Sequence, residues 1–440
     1  MTPARTICLG FLLVISVGMV LLLGPWATQT HQWSDPVTAL FTATSAVCVT
    51  GLSVVDVGTY YSFFGQFILL LLIQLGGLGY MTSMTLLFMA LGRRFRLKDK
   101  LAIQQALDQS GLGGIQGLLR LILTATVVIE TLGAILLWPV WRREYGWGRG
   151  LWLAIFHSIS AFNNAGFSLF PDSLMRYQQS GVVVGVISGL IMLGGIGYPV
   201  LSDAWLWLKR RNQVSLNTKV VVSTSIFLWL AGWFFFTVVE FNNPHTLRNL
   251  PWPEQVGAAW FQSVTSRTAG FNTIDIGKMT VTGLMITVVL MFIGASPGGT
   301  GGGIKTTTIR VLVRATRAIL RGHEEVVIYE REIPPILIYK AIAVLIGSLG
   351  VVMLMVTLLS FTEAERHEYG FLPLFFETVS AFATVGLSTG ITSGLTVPGK
   401  LLLILTMYVG RVGVLLLMAA IVREPRPMRT HYPEETFLVG

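Results

Sequence analysis

Four short stretches of this chain are versions of one another, and each lies between two long apolar segments. They read Phe41-Thr-Ala-Thr-Ser-Ala-Val-Cys-Val-Thr-Gly51-Leu52, Phe156-His-Ser-Ile-Ser-Ala-Phe-Asn-Asn-Ala-Gly166-Phe167, Phe261-Gln-Ser-Val-Thr-Ser-Arg-Thr-Ala-Gly270-Phe271 and Phe376-Glu-Thr-Val-Ser-Ala-Phe-Ala-Thr-Val-Gly386-Leu387. Each opens with Phe, carries a small hydroxyl residue near its middle and closes on Gly followed by Leu or Phe. The closing glycines are 115, 104 and 116 residues apart. A unit of that length used four times, with a re-entrant segment between two spans, lets one chain build a four-sided ion pore.

Composition supports a membrane setting. Of 440 residues 53% are hydrophobic and 12% charged, and the mean hydropathy is +0.68. Soluble domains carry about 25% charged residues. Many windows supply the ~20 apolar residues that a spanning helix needs. The net charge of +9 would suggest nucleic acid in a soluble protein. Here the basic residues cluster between spans, where topology accounts for them. The two cysteines, Cys8 and Cys48, are too few for a disulfide framework and read as packing residues. The run 7–23 after Arg5 is long enough to span and has no small-x-small cleavage pattern behind it, so it reads as a first span rather than a signal peptide.

The chain divides into four expected units: residues 1–100, 101–212, 213–322 and 323–425, followed by a cytoplasmic tail, 426–440. Each contributes a first span (6–26, 117–141, 219–241, 334–361), a re-entrant half-helix (35–46, 151–162, 253–266, 372–382) and a second span (61–91, 181–208, 279–320, 397–422). The expected fold is an all-α membrane protein with eight transmembrane helices and four half-helices around one central pore. Ser34-Asp35-Pro36 and Pro251-Trp-Pro253-Glu254 carry the chemistry of helix starts. Arg93, Arg94, Arg96, Lys98 and Lys100, then Lys209, Arg210, Arg211 and Lys219, then Arg310, Arg314, Arg317, Arg321 and Arg331, and finally Arg423, Arg426 and Arg429 all fall on one side. That side is expected to be cytoplasmic, with both termini on it and Arg142 and Arg143 as outside exceptions.

The glycine turns carry the functional signal. A dehydrated cation needs close oxygens, and a ring of backbone carbonyls supplies them. Glycine allows the unusual φ that aims a carbonyl inward. A half-helix ending at the axis adds its negative end. Glycines serving only close helix packing would not need a fourfold period.

On these four motifs the chain resembles the Trk/Ktr/HKT superfamily of potassium transporters, closest to its KtrB-type membrane subunits, over nearly its whole length. The resemblance ties each closing glycine to potassium passage and implies a filter of Val49-Thr50-Gly51, Asn164-Ala165-Gly166, Thr268-Ala269-Gly270 and Thr384-Val385-Gly386. A serine at the first glycine goes with sodium preference in that family, so Gly51 implies potassium. The third motif is one residue shorter, which predicts a filter only pseudo-fourfold, short of a perfect carbonyl ring. The resemblance further implies uptake through a bacterial plasma membrane with sodium dependence, a homodimer of membrane subunits and a separate cytosolic ring of nucleotide-binding regulatory subunits (KtrA-like). Potassium is the substrate ion, and no organic cofactor is expected on this chain.

A second signal is the run from Gly294 to Gly303, with six glycines in ten residues. Each glycine costs a helix ~1 kcal/mol relative to Ala, and Ser296-Pro297 interrupts it further. The span therefore opens into a loop at membrane depth, over 294–306, below the filter. The resemblance makes that loop a gate, formed by Gly294, Ser296, Gly298, Gly299, Thr300, Gly301, Gly302, Gly303 and Lys305 with Arg411 of the last span. A kink or hinge without gating is the plainer alternative. A cation buried in a membrane is expensive and usually functional. Arg411 is expected to pair with carbonyls of 298–303, with a salt bridge to Glu130 as the structural alternative.

Two catalytic patterns in the glycine run fail. Gly294-Ala-Ser296-Pro297-Gly298 fits a nucleophile elbow, but Pro297 lacks the N–H an oxyanion hole needs. Gly301-Gly-Gly303-Ile304-Lys305-Thr306 has Ile304 between glycine and lysine and no preceding strand, unlike a phosphate-binding loop. The chain is read as a transporter, not an enzyme. The rival readings are a sodium-selective or proton-coupled member of the same superfamily, an intramembrane serine hydrolase using Ser296, and an alternating-access carrier. The carrier would show repeats of several helices each. Glu130, Gln74, Glu377, Asn163 and Asn164 are candidates for a coupling sodium ion. His157 reads as a hydrogen-bonded core residue, and Arg267 as a tether of the third half-helix.

Overall fold

Helix starts in this chain are written locally, and the structure follows them. The structure is a computed structural model that describes residues 3–79, 115–210, 214–364 and 369–421. Its elements run α1 (Pro3–Leu23), α2 (Pro36–Val47), α3 (Val57–Tyr60), α4 (Phe63–Leu78), α5 (Ile115–Tyr145), α6 (Trp147–Phe162), α7 (Gly181–Ile196), α8 (Tyr198–Arg210), α9 (Leu216–Glu240), α10 (Trp252–Thr265), α11 (Val281–Phe292) and α12 (Thr306–Leu320). A two-stranded antiparallel ribbon, Val327–Ile328 with Arg331–Glu332, precedes α13 (Pro335–Thr362), α14 (Phe371–Phe382), α15 (Val397–Val412) and α16 (Val414–Ile421). Among the described residues, α1, α5, α9 and α13 contain stretches long and apolar enough to cross a membrane.

The short helices α2, α6, α10 and α14 begin within four residues of the expected half-helix starts and end within one residue of their expected ends. At the first, Asp35 Oδ2 accepts from Thr38 N at 2.9 Å and Pro36 takes the opening position, where a missing N–H costs nothing. Each opening Phe of the motifs (Phe41, Phe156, Phe261, Phe376) is fully buried, seating its short helix in the core.

The helix after each motif shares one start. Ser62, Ser180, Thr280 and Thr396 each accept from a backbone N–H three residues on. In two units a carboxylate at the end of the unit's first helix doubles that cap. Glu240 Oε1 accepts from Thr280 N and Oγ1, and Glu363 Oε1 from Thr396 N and Oγ1. A carboxylate at a helix N-terminus is favourable, so in these two units the first helix is bolted to the start of the helix after the motif.

The second helices do not run straight through as expected. The expected span 181–208 is broken at Gly197, where α7 and α8 meet at 97°, and the span 397–422 is broken at Gly413, where α15 and α16 meet at 94°. α4 likewise stops at Gly79. These glycines have φ of 80–96°, a backbone that residues with a Cβ rarely adopt. Just before each break, a second glycine crosses the end of the unit's own short helix. A Cβ on Gly76, Gly194 or Gly410 would overlap the carbonyl of Val47, Phe162 or Phe382.

Arg93, Arg94, Arg96, Lys98, Lys100, Arg211, Arg423, Arg426, Arg429, the tail 426–440 and the unit boundaries at 100, 212 and 425 lie outside the described residues.

Candidate functional site

The four glycine turns meet. A Cβ on Gly51 would overlap Ala165 O; on Gly166 it would lie 2.9 Å from Ala269 O; on Gly270, 2.5 Å from Val385 O; on Gly386 it would overlap Thr50 O. The circuit 51→166→270→386→51 is closed, in chain order. Each glycine abuts the peptide carbonyl preceding the next glycine, so the neighbours in this ring are backbone.

Local conformation explains how carbonyls come to face it. The four glycines have φ of 93°, 69°, 79° and 91°, and two residues earlier Val49, Asn164, Thr268 and Thr384 have φ of 56°, 57°, 71° and 51°. Positive φ at both positions with the intervening residue on the ordinary side turns successive carbonyls toward one side. Non-glycine residues at positive φ are strained and persist only where the surroundings hold them. Here Val49, Thr50, Asn164, Ala165, Thr268, Ala269, Thr384 and Val385 are all fully buried.

The missing residue of the third motif is absorbed before the ring. Thr50 N, Ala165 N and Val385 N each bond the carbonyl five residues back (Ser45, Ser160, Ser380), whereas Ala269 N bonds Thr265, four residues back. The expected departure from fourfold symmetry thus sits at the helix end, and all four glycines still join the circuit.

The mid-motif hydroxyls, which sequence reasoning noted without assigning, brace the turns. Gly51 N donates to Ser45 Oγ (3.0 Å) and Gly386 N to Ser380 Oγ (3.1 Å). Ser160 Oγ donates to Phe167 O and Thr265 Oγ1 to Phe271 O. Their recurrence at one motif position was the available signal.

The glycine-rich run is a loop lying against one side of the ring. Its neck is closed by Gly294 N→Ile304 O (2.9 Å), Ala295 N→Gly302 O (3.1 Å) and Ile304 N→Phe292 O (3.3 Å). Gly302 N donates to Thr384 Oγ1 at 3.0 Å, and a Cβ on Gly301 would overlap Thr268 Oγ1. The loop therefore touches the ring residues directly. Across the loop, Ser296 N donates to Gly195 O, Thr300 N to Gly194 O and Tyr198 N to Gly298 O, which ties it to the α7–α8 break. Lys305 Nζ donates to Gly301 O at 2.9 Å. Gly299 abuts Gly195, and Gly303 abuts Gly294.

Arg411 spans the centre of this arrangement. Its guanidinium donates to Thr300 O of the loop and to Gly76 O at the end of α4. The alternative salt bridge with Glu130 is not formed. Glu130 Oε1 instead accepts from Asn163 Nδ2 (2.9 Å), which also donates to Gln74 Oε1 (3.0 Å). These three residues come from separate elements and meet behind the second turn. Arg267 does more than tether its own helix: Nη2 donates to Gly294 O (3.1 Å), fixing the loop's neck, and the guanidinium lies over the Trp229 ring at 5.6 Å.

Glu377 and His157 occupy one motif position and brace the segment after the turn. Glu377 accepts from Ser388 Oγ, Thr389 N and Thr392 Oγ1, and His157 Nε2 lies 3.0 Å from Ser168 Oγ. Asn164 lies in the ring itself. Ser296 Oγ accepts from Thr306 Oγ1; among the described residues no titratable base bonds it.

A family model described as a cation transport protein, TrkH, matches residues 13–432. The "Ktr system potassium uptake protein B" of Bacillus subtilis is 41% identical, covering all of this chain and 97% of that protein. Its namesake from Vibrio alginolyticus is 40% identical over 99% of this chain and 94% of that protein. The "Potassium/sodium uptake protein NtpJ" of Enterococcus hirae is 36% identical over 100% and 98% respectively. In three dimensions the chain is similar to the crystal structure of the potassium transporter TrkH from Vibrio parahaemolyticus, with a TM-score of 0.73, 18% identity, and coverage of 94% of this chain and 84% of that one. With nearly its whole length matched, the chain belongs to the TrkH family of cation transport proteins.

Proposed function

We propose that this protein carries potassium into the cell across a bacterial plasma membrane. The observation that carries the reading is the closed ring of glycine turns, in which the carbonyls of Thr50, Ala165, Ala269 and Val385 each abut the neighbouring unit's glycine. Four short helices end at that ring, so their negative ends add to the carbonyls' attraction for a cation. Val49, Thr50 and Gly51, with their counterparts in the other three units, form the filter. The full architecture under this reading is four span–half-helix–span units, eight crossings in all, with the basic loops and both termini in the cytoplasm.

The loop over Gly294–Lys305 and Arg411 form the gate. The guanidinium opposes a cation electrostatically and holds Thr300 to α4. Opening requires those carbonyls to be released together with the loop's bonds to Gly194 and Gly195. Two relatives are each named as protein B of a Ktr system, which supports a second component. We assign that role to a cytosolic nucleotide-binding ring acting on a homodimer of this chain. The name of the Enterococcus relative supports a part for sodium.

Rubidium uptake in a potassium-uptake-deficient bacterium expressing the chain with its partner tests the proposal. Wild type should support uptake resistant to sodium competition, and Gly51→Ser should lose that resistance. Absence of uptake by wild type, or a variant indistinguishable from it, returns the glycines to packing.

A further inference from the structure

Between α5 and α6 lies a cavity of about 350 Å³ to which neither the ring nor the glycine-rich loop contributes a lining residue. Val127, Glu130, Ala134 and Trp138 form its α5 side, at the spacing of one helix face, and Leu151, Ile155 and Ile159 form its α6 side, four residues apart. Val127, Ile135 and Leu151 are exposed, so the cavity opens on the outer wall of the helix pair. From Glu130 to Trp138 it runs about 12 Å along α5, at 1.5 Å per residue. It is a groove, long and narrow.

Glu130 is the one carboxyl among the described lining residues. It sits well inside the apolar stretch Leu119–Tyr145 and is only 9% exposed. Its bonded neighbour is neutral, the amide of Asn163, which Gln74 shares. The ion pairs among the described residues, Arg176–Asp172 and Lys278–Asp275, do not involve it. A carboxylate at membrane depth pairs with another charge or marks a site. Amides supply hydrogen bonds but no charge, so the balancing proton or cation has to reach Glu130 from the groove. The rest of the wall decides which cation fits. An alkali ion sheds water only where several oxygens replace it, and beyond Glu130 and Thr131 this wall is hydrocarbon and indole. An acyl chain would fill the groove and leave Glu130 without a partner.

We propose that this groove binds an aliphatic amine, its nitrogen on the Glu130 carboxyl and its chain laid along α5 and α6 toward Trp138. The amine arrives through lipid as the neutral base. The proton of the Glu130 carboxyl passes to the nitrogen lone pair, which leaves an ammonium and a carboxylate joined by a hydrogen bond and needs no other reactant. Such a charge-assisted bond is about twice as strong as a neutral one. Glu130 also holds Asn163, the neighbour of the ring residue Asn164, so occupancy would bear on the second turn. That consequence rests on the transport reading; the binding does not.

The test is equilibrium binding of tritiated decylamine to the full chain in phosphatidylcholine nanodiscs, with the signal of empty nanodiscs subtracted and decanol as the neutral competitor. Wild type should bind decylamine saturably, and decanol should compete at least about tenfold more weakly than unlabelled decylamine, the worth of a hydrogen bond between charged groups. Glu130→Gln keeps the side chain's shape and an acceptor for Asn163, and should weaken decylamine binding by a similar factor. Ile155→Trp fills the groove while leaving the carboxyl in place, and should weaken it too. Decanol competing as well as decylamine, Glu130→Gln binding like wild type, or no saturable binding at all overturns the proposal. So does displacement of decylamine by sodium chloride but not by potassium chloride, since the carboxyl then belongs to an alkali ion. Rubidium flux measured on the same preparations reports on the transport reading separately.

Discussion

Gly166→Ala is the sharpest test of the ring because the new methyl would meet only backbone. Gly166 has φ +69°, and its Cβ would lie 2.9 Å from Ala269 O and 2.9 Å from Gly270 Cα. Ordinary contact begins at 3.4 Å, so the third unit's carbonyl must retreat by about 0.5 Å. The left-handed conformation itself costs a residue with a Cβ roughly 1–2 kcal/mol. Relief of that strain is available only by moving Ala269 O or flipping the turn, and either removes one of four oxygens from its place. If the strain is drawn from ion coordination, rubidium-over-sodium preference should fall about tenfold, since 1.4 kcal/mol is one decade. Gly257→Ala is the matched control. It makes the same chemical change inside α10, where nothing lies within 4 Å of the added methyl, and it should leave preference intact. Rubidium uptake into proteoliposomes over a sodium series reads both. A well-folded Gly166→Ala protein with wild-type preference would refute the reasoning.

Three further outcomes are expected. Arg411→Gln removes charge-assisted bonds to Thr300 O and Gly76 O, each worth roughly 1.5–3 kcal/mol; under the proposed gate, rubidium flux through the chain alone should rise about tenfold or more, and unchanged flux would count against a latch. Arg267→Gln frees the loop's neck at Gly294 O; under the proposed regulation, activation by the second component should weaken while ion preference stays, which flux with and without that component distinguishes. Glu377→Gln places an amide among donors from Ser388, Thr389 and Thr392 and should destabilise the protein by about 1–3 kcal/mol, seen as a lower melting temperature in detergent.

Much of this protein was legible in its residues because the relevant signals are local. The half-helices were found near their true bounds because start signals mark two of them, at Asp35-Pro36 and Pro251-Trp252-Pro253, and a closing glycine follows each opening Phe by nine or ten residues. The interruption over Gly294–Gly303 follows from glycine's cost in a helix and Pro297's missing N–H. That Gly51, Gly166, Gly270 and Gly386 occupy equivalent places follows from their register in a repeat.

What the tertiary structure alone decided are relations between residues well separated along the chain. The ring's closure places Gly386 against Thr50 O, a contact no spacing rule encodes. The breaks at Gly197 and Gly413 were not read from the sequence, although Gly194, Gly195 and Gly197 precede Pro199 and Gly410 lies three residues before Gly413. Only the crossing of Gly194 and Gly410 over Phe162 O and Phe382 O shows why those spans must turn nearby. Glu130, Gln74 and Asn163, each a candidate for a coupling sodium ion in the sequence, form one hydrogen-bonded group. Burial without water obliges each polar group to find a partner, but which partner it finds is set by how the helices pack.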